Sequence, residues 1–411
     1  MYKVKRLSVE LDYIIYLLLL CYMLADCVTG FLKMYGFSGI SQPYKMLLII
    51  LMVLSLKNYY AAVIYFFFFS IISTSLVAYF FNPYTSSSDS LAMQLRIVMA
   101  PILFIYLKKQ YEIVPKRIFN IIKVNTVVLL INLLLGLFGF GDTTYEGNLN
   151  TVSGIKGFLY DGNALAGSLF AIYVLWINLL PKNKIKISIL FLFCGILIGT
   201  KVSILSIILY FCGYAFFDVA RRKRFSVLLL LVGFVSLLIF ILLRTATFQY
   251  QIERIKWLFH IFKGNYLSVF LSGRNLDLID HYKFWQENLS LRELLFGFGF
   301  LNFKKIIELD FFDTFFSYGF LFFIGIFIFY FYCFYVNRKN SKLIIFNLLF
   351  FFLSITSGHI WFNSQAALFF SLANIIFSKR GKKINETYFA SHKHVSFCFK
   401  SNLRYFCKAD I

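Results

Sequence analysis

Apolar runs of about twenty residues recur along this chain, and most polar stretches between them are short. Such runs predict helices that cross a bilayer, because a helix satisfies its own backbone where no water can. Hydropathy places about twelve of them, at roughly 11–32, 42–56, 59–81, 91–107, 118–138, 163–180, 185–200, 202–219, 226–243, 312–336, 343–357 and 360–378. Several are near fifteen residues, which fits untilted or partly buried helices. The first run is long and has no small-residue cleavage site, so it reads as a span and not as a cleaved leader. One long polar segment breaks the rhythm, from about residue 244 to 311. The pattern predicts an all-α polytopic bundle forming a single integral membrane domain over 1–411. The polar segment 244–311 lies between its ninth and tenth spans, and a basic tail covers 379–411.

Composition strengthens this reading. Of 411 residues 60% are hydrophobic and only 15% charged, against about 25% charged in soluble domains. The mean hydropathy is +0.75, and the five prolines leave long helices uninterrupted. The formal net charge of +22 raises the question of an anionic partner. Its distribution answers it. Basic residues cluster in alternate connections: Lys3, Lys5 and Arg6; Lys108, Lys109, Lys116 and Arg117; Lys182, Lys184 and Lys186; Arg221 to Arg224; Arg338, Lys339 and Lys342; and the tail. Intervening connections such as NPYTSSSDS (82–90) carry few or none. This positive-inside pattern predicts cytoplasmic termini and puts 244–311, nearly balanced in charge, outside. No basic, aromatic-bearing soluble module is visible, so nucleic acid is not an expected partner.

The seven cysteines show no CxxC or Cys/His spacing. Neither a disulfide framework nor a metal site is expected, and no glycine pattern matches a nucleotide motif, so no cofactor is implied. His392 and His394 belong to a solvated basic tail. No internal repeat is seen, which argues against a twofold transporter.

Four stretches depart from plain hydrophobicity. Arg96 lies inside the fourth span, where a charge must face a cavity or snorkel to the interface. The connection 139–167 ends in Asp161 and Asn163, either of which can cap the next helix. ILIGTKVSILSI, with Ile198, Gly199 and Thr200 before the lysine, puts Lys201 in a tight turn between two spans. There it is either a point charge for a phosphate or an interfacial lysine. LSGRNLDLIDHYKFWQENL predicts a helix started by Ser272 or Asn275, with Leu278, Tyr282, Trp285 and Leu289 on one apolar stripe. Arg274 sits at its start, where free amides favour an anion. Glu308, Asp310 and Asp313 crowd the entrance of the tenth span, as a general base or as caps of its positive end. Together these predict a cavity whose cations suit a diphosphate and whose carboxylates suit sugar hydroxyls or proton removal.

The ordered set GFLYDGNALAG, ILIGTKVSIL, LSGR, FGFGF with its acidic cluster, and FFSYGFLFF resembles the bacterial O-antigen polymerase (Wzy) and O-antigen ligase superfamily. The resemblance covers the last two-thirds of the chain. It implies a GT-C-type glycosyltransferase of the bacterial inner membrane that needs neither metal nor nucleotide sugar. Such an enzyme acts on undecaprenyl-diphosphate-linked oligosaccharides at the outer face. Membrane lipid and a chain-length regulator are the further partners it implies. Under this resemblance Arg274, Arg96 and Lys201 hold the diphosphate, although Lys201 stands where many relatives carry an arginine. Glu308, Asp310, Asp313 and His281 are the catalytic candidates, and Asp161, Asn163 and His359 contact glycan. A ligase moving finished glycan is the alternative within the superfamily. A lipid-linked oligosaccharide flippase, or a structural or signalling membrane protein, is the alternative outside it.

Overall fold

The computed structural model describes residues 2–56, 61–81, 87–145, 153–159, 161–218, 253, 256–299, 307–358, 360–361 and 363–378. Helices dominate. In chain order they are α1 (Tyr2–Leu20), α2 (Tyr22–Met34), α3 (Ser41–Ser55), α4 (Ala61–Phe81), α5 (Ser87–Ile113) and α6 (Pro115–Leu137). A hairpin of β1 (Asp142–Tyr145) and β2 (Ser153–Gly157) comes next, then α7 (Gly162–Leu179), α8 (Lys184–Ile198) and α9 (Lys201–Asp218). Then follow α10 (Tyr266–Phe270), α11 (Arg274–Asn288), α12 (Leu291–Phe296), α13 (Asp310–Val336), α14 (Ser341–Thr356) and α15 (Ser364–Ile376).

Helices occupy every expected span except 226–243, which lies outside the described residues. Among the described residues four helices are long and apolar enough to cross a membrane: Leu91–Ile113, Pro115–Leu137, Gly162–Leu179 and Asp310–Val336. A fifth span results if Glu10–Leu20 and Tyr22–Met34, bent by 51° at Cys21, count as one. The remaining apolar helices are shorter, so length and composition do not by themselves reach about twelve spans. Tyr65, Phe69, Ile72 and Phe80 are exposed along α4. So continuous an apolar surface belongs against lipid, and the protein is membrane-embedded.

The core is built on α15, buried almost throughout, which packs between α5 and α7. Apolar surface alone gives little drive for helices to associate in lipid, so polar bonds across helices matter. Asn374 on α15 is such a bond centre. Its Oδ1 accepts from Asn337 Nδ2 and Asn347 Nδ2, each at 2.8 Å, and its Nδ2 donates to Asn347 Oδ1 at 3.0 Å. Ser371 on the same helix donates to the Ala100 carbonyl of α5 at 3.0 Å.

Two further departures from plain helices lie close to the polar segments. The β-hairpin interrupts the 139–167 connection. It is tied to α6 by Asn132, which donates to the Lys156 carbonyl and accepts from the Phe158 amide, both at 2.8 Å. The second is a break in α13 at Gly319, whose φ of 73° lies in the left-handed region. The chain after α12 docks into that break: the Phe298 and Gly299 amides donate to the Phe316 and Ser317 carbonyls at 3.0 and 2.9 Å. A Cβ on Gly319 would stand 2.4 Å from the Gly297 nitrogen, and one on Gly297 would stand 2.4 Å from the Ser317 carbonyl. Only glycine lets these backbones meet so closely. The glycines of FGFGF and SYGF are thus the two halves of one backbone junction.

Candidate functional site

A cavity of about 380 Å³ opens where several helix ends meet. Its walls come from the hairpin, the start of α7, the α8–α9 turn, the α10–α11 connection, residues 307–308, and the end of α14.

Each wall has a local cause. Asp161 caps α7 by accepting from the Asn163 and Ala164 amides at 2.9 and 3.4 Å, the expected cap geometry. Asn163 then donates through Nδ2 to the Ser357 carbonyl at 3.0 Å, which ties the start of α7 to the end of α14. Thr144 of β1 donates to the Ile198 carbonyl at 2.7 Å and so satisfies an orphan acceptor at the end of α8. Gly199 closes α8 in the left-handed conformation. The Thr200 hydroxyl accepts from the Ser203 amide at 3.2 Å and starts α9. Lys201 is therefore the first residue of α9 and is exposed along the cavity. In IGTKVS the glycine stops one helix, the threonine starts the next, and the lysine is presented.

Arg274 is presented in a related way. The α10–α11 connection turns through Ser272 at φ 56° and Gly273 at φ 87°, and α11 begins at Arg274. The expected cap by Ser272 or Asn275 is not made. Gly273 occupies that position, and Asn275 donates instead to Ser268 Oγ at 2.8 Å. The apolar stripe of α11 is half used. Leu278 and Trp285 pack on Ile307, Leu309 and Phe316, while Tyr282 and Leu289 are exposed.

The Arg274 guanidinium is held on two sides. Nε and Nη2 donate to Glu308 Oε2 at 3.2 and 2.6 Å, and Nη1 donates to the Thr356 carbonyl at 3.2 Å. Glu308 carries φ 63°, rare for a residue with a Cβ. Of the three non-glycine residues in the left-handed region among those described, Ser272 and Glu308 both line this cavity. Backbone strain of that kind persists only where the surroundings impose it.

Those surroundings are Asp313 and Asp310. Asp313 accepts from the Ile307 amide at 3.0 Å and from the Leu309 amide at 2.9 Å, which pins the chain on both sides of Glu308. Asp310 accepts from the Ile360 and Trp361 amides, each at 2.6 Å, and the Trp361 ring stacks on Tyr330 at 4.4 Å. A Cβ on Gly358 would lie 2.1 Å from the Glu308 carbonyl oxygen, so the two turns touch. The carboxylates of Asp310 and Asp313 are buried on amides and do not line the cavity. Of the three acids expected as candidate bases, only Glu308 faces it.

The cavity therefore gathers Arg274, Lys201, Glu308, Asp161 and Asn163 from four separate stretches of sequence. Two other candidates among the described residues are not in its wall. Arg96 lies on α5, where its Nη1 is 3.8 Å from Met93 Sδ, one turn earlier on the same helix. His281 is buried in α11, with Nδ1 2.7 Å from the Asp277 carbonyl oxygen. His359 lies outside the described residues. Asp277, one turn after Arg274, also lines the cavity. Its i+3 spacing from the arginine was the available signal. The Thr356 carbonyl carries no side-chain signal at all. Val202, Leu205, Phe270, Phe352 and Leu353 add an apolar part to the wall, so the site is amphiphilic. Among the described residues no group of His, Cys, Asp and Glu is arranged to hold a metal. No family model, curated protein or solved structure matches this chain.

Proposed function

We propose that this protein is a membrane glycosyltransferase that polymerises lipid-linked oligosaccharides. Its substrates are repeat units carried on undecaprenyl diphosphate at the outer face of a bacterial inner membrane. In this reading the bundle has about twelve spans with both termini in the cytoplasm, in line with the alternating basic connections. The observation that carries the proposal is the cavity itself: two cations, three carboxylates and an amide converge beside an apolar wall. A lipid-linked sugar diphosphate offers anionic oxygens, hydroxyls and a polyprenyl chain, and each matches one part of that wall.

The step is a displacement at the anomeric carbon of the growing glycan. An acceptor hydroxyl oxygen forms the new bond, the bond from that carbon to the diphosphate oxygen breaks, and the diphosphate leaves with the electron pair. The hydroxyl proton passes to Glu308, the one of the cavity's carboxylates that lies against Arg274. Arg274 stabilises the charge growing on the diphosphate, and Lys201 adds a second positive charge. Asp161 and Asn163 contact glycan hydroxyls. Asp310 and Asp313 act through the Glu308 turn they hold.

The test is chain extension of purified lipid-linked repeats by the detergent-solubilised protein, normalised to folded material. Arg274→Ala should lower turnover roughly 100- to 1000-fold, the loss seen when a donor to a developing charge is removed. Arg274→Lys should recover part of it, because charge remains but the fork is lost. Full turnover by Arg274→Ala would refute the assignment. Transfer of a finished glycan to another acceptor, without extension, would make the protein a ligase.

A further inference from the structure

The cation assigned to the diphosphate is already occupied. The edge of Arg274 formed by Nε and Nη2 would serve a phosphoryl group best, because its two N–H bonds run parallel. Both bonds fall on Glu308 Oε2. The third interaction, from Nη1, goes to the Thr356 carbonyl at a helix end. A carboxylate and a phosphoryl oxygen are alternative acceptors for the same edge, and like charge keeps them from sharing it.

Glu308 is built to leave. Its side chain is 42% exposed, against 16% for Arg274. Its backbone is held by the Asp313 bonds to the amides on either side, so the side chain can swing without moving the turn. The guanidinium is the fixed partner, because the Thr356 carbonyl holds it from the other side.

From these contacts we infer that Glu308 is an internal competitor for Arg274, and that an arriving phosphoryl group displaces it. This rests on the reading of Arg274 as the diphosphate site and adds an order of events. Binding of the donor diphosphate takes the Nε–Nη2 edge and releases the Glu308 carboxylate into the cavity. The base is therefore freed only when a leaving group is in place. With the cavity empty, the ion pair screens both charges.

Competition and support predict opposite signs. If Glu308 merely orients Arg274, its removal weakens anion binding. If it competes, its removal tightens binding. The probe is inorganic pyrophosphate, titrated into the full-length detergent-solubilised chain. Glu308→Gln keeps the size of the side chain and removes its charge. It should bind pyrophosphate about tenfold more tightly than wild type, the effect of one half-exposed charge removed from a shared site. Glu308→Asp retracts the carboxylate by one methylene and should fall between the two. Arg274→Ala should abolish the gain in the Glu308→Gln background. Equal or weaker binding by both Glu308→Gln and Glu308→Asp, each eluting and melting as wild type, would overturn the inference. Having both variants keeps the test decisive if one fails to fold. Extension of lipid-linked repeats is measured separately. Tighter pyrophosphate binding with no extension by any form would leave the competition standing and sink the polymerase reading.

Discussion

Two ion pairs in this protein use the same chemistry in opposite settings. Lys45 on α3 lies 2.5 Å from Asp26 on α2, and the two side chains are 11% and 7% exposed. Ser41 donates to the same Asp26 oxygen, and the Lys45 ammonium sits over the Tyr22 ring, 4.9 Å from its centroid. This pair is closed and joins neighbouring helices. The Arg274–Glu308 pair joins residues 34 apart in sequence, lines a cavity, and leaves its carboxylate 42% exposed. Taking charges out of water is expensive, so removing one member of a buried pair strands the other. A closed pair is therefore committed to the fold. An open pair adds little to stability, and its partners remain available for a ligand.

The sharpest way to break this comparison is to remove one member of each pair. Lys45→Met strands the Asp26 carboxylate in the interior and should cost about 3–5 kcal/mol. The loss would appear as a lower melting temperature and a lower yield in detergent. Adding Asp26→Asn should recover most of it, because the stranded charge is gone. Arg274→Ala, in contrast, should cost only about 1 kcal/mol of stability despite its large effect on turnover. A Lys45→Met protein that melts with wild type would show that burial does not separate the two pairs.

A smaller effect tests the frame around the open pair. Asp310→Ala leaves two buried amides without their acceptor and should lower stability by about 1–3 kcal/mol. Asp310→Asn keeps one acceptor oxygen and should retain part of both stability and turnover. If Asp310 were instead the base, Asp310→Asn would melt normally and turn over nothing. The smallest effect concerns Asp161. Asp161→Ala removes the α7 cap and should cost about 1 kcal/mol, while Asp161→Asn, an equally good cap, should be nearly neutral in melting. Loss of turnover in Asp161→Asn at unchanged melting would show that its charge serves the glycan as well as the helix.

Much of the site was legible because its pieces are local. A glycine, a capping threonine and a lysine in IGTKVS specify a stop, a start and a displayed cation within a few residues. Asp161 before an apolar run is a cap wherever that run docks. The Arg274 segment announced itself as a polar, amphipathic interruption between spans. The three acids at 308, 310 and 313 were legible only as a cluster. Their division of labour depends on which backbone amides come near, and those belong to residues 307, 309, 360 and 361. The bend at Cys21 and the break at Gly319 were hidden in continuous apolar runs. Hydropathy records what a residue avoids and says nothing of where the backbone turns.

The sequence by itself determined the solvent. So apolar a chain, with basic residues in alternate connections, predicts helices in a membrane, because period and hydropathy are properties of neighbours along the chain. Tertiary structure alone decided which polar residues share a cavity. Arg96 and Arg274 look alike in the sequence, each an arginine beside or inside an apolar run. One lies beside Met93, one turn back on its own helix and outside the cavity wall; the other meets Glu308 across 34 residues. The docking of helix ends separates them. That docking depends on packing, on interhelical bonds such as those of Asn374, and on glycine contacts such as Gly297 with Gly319. These are long-range terms, and no local pattern encodes them.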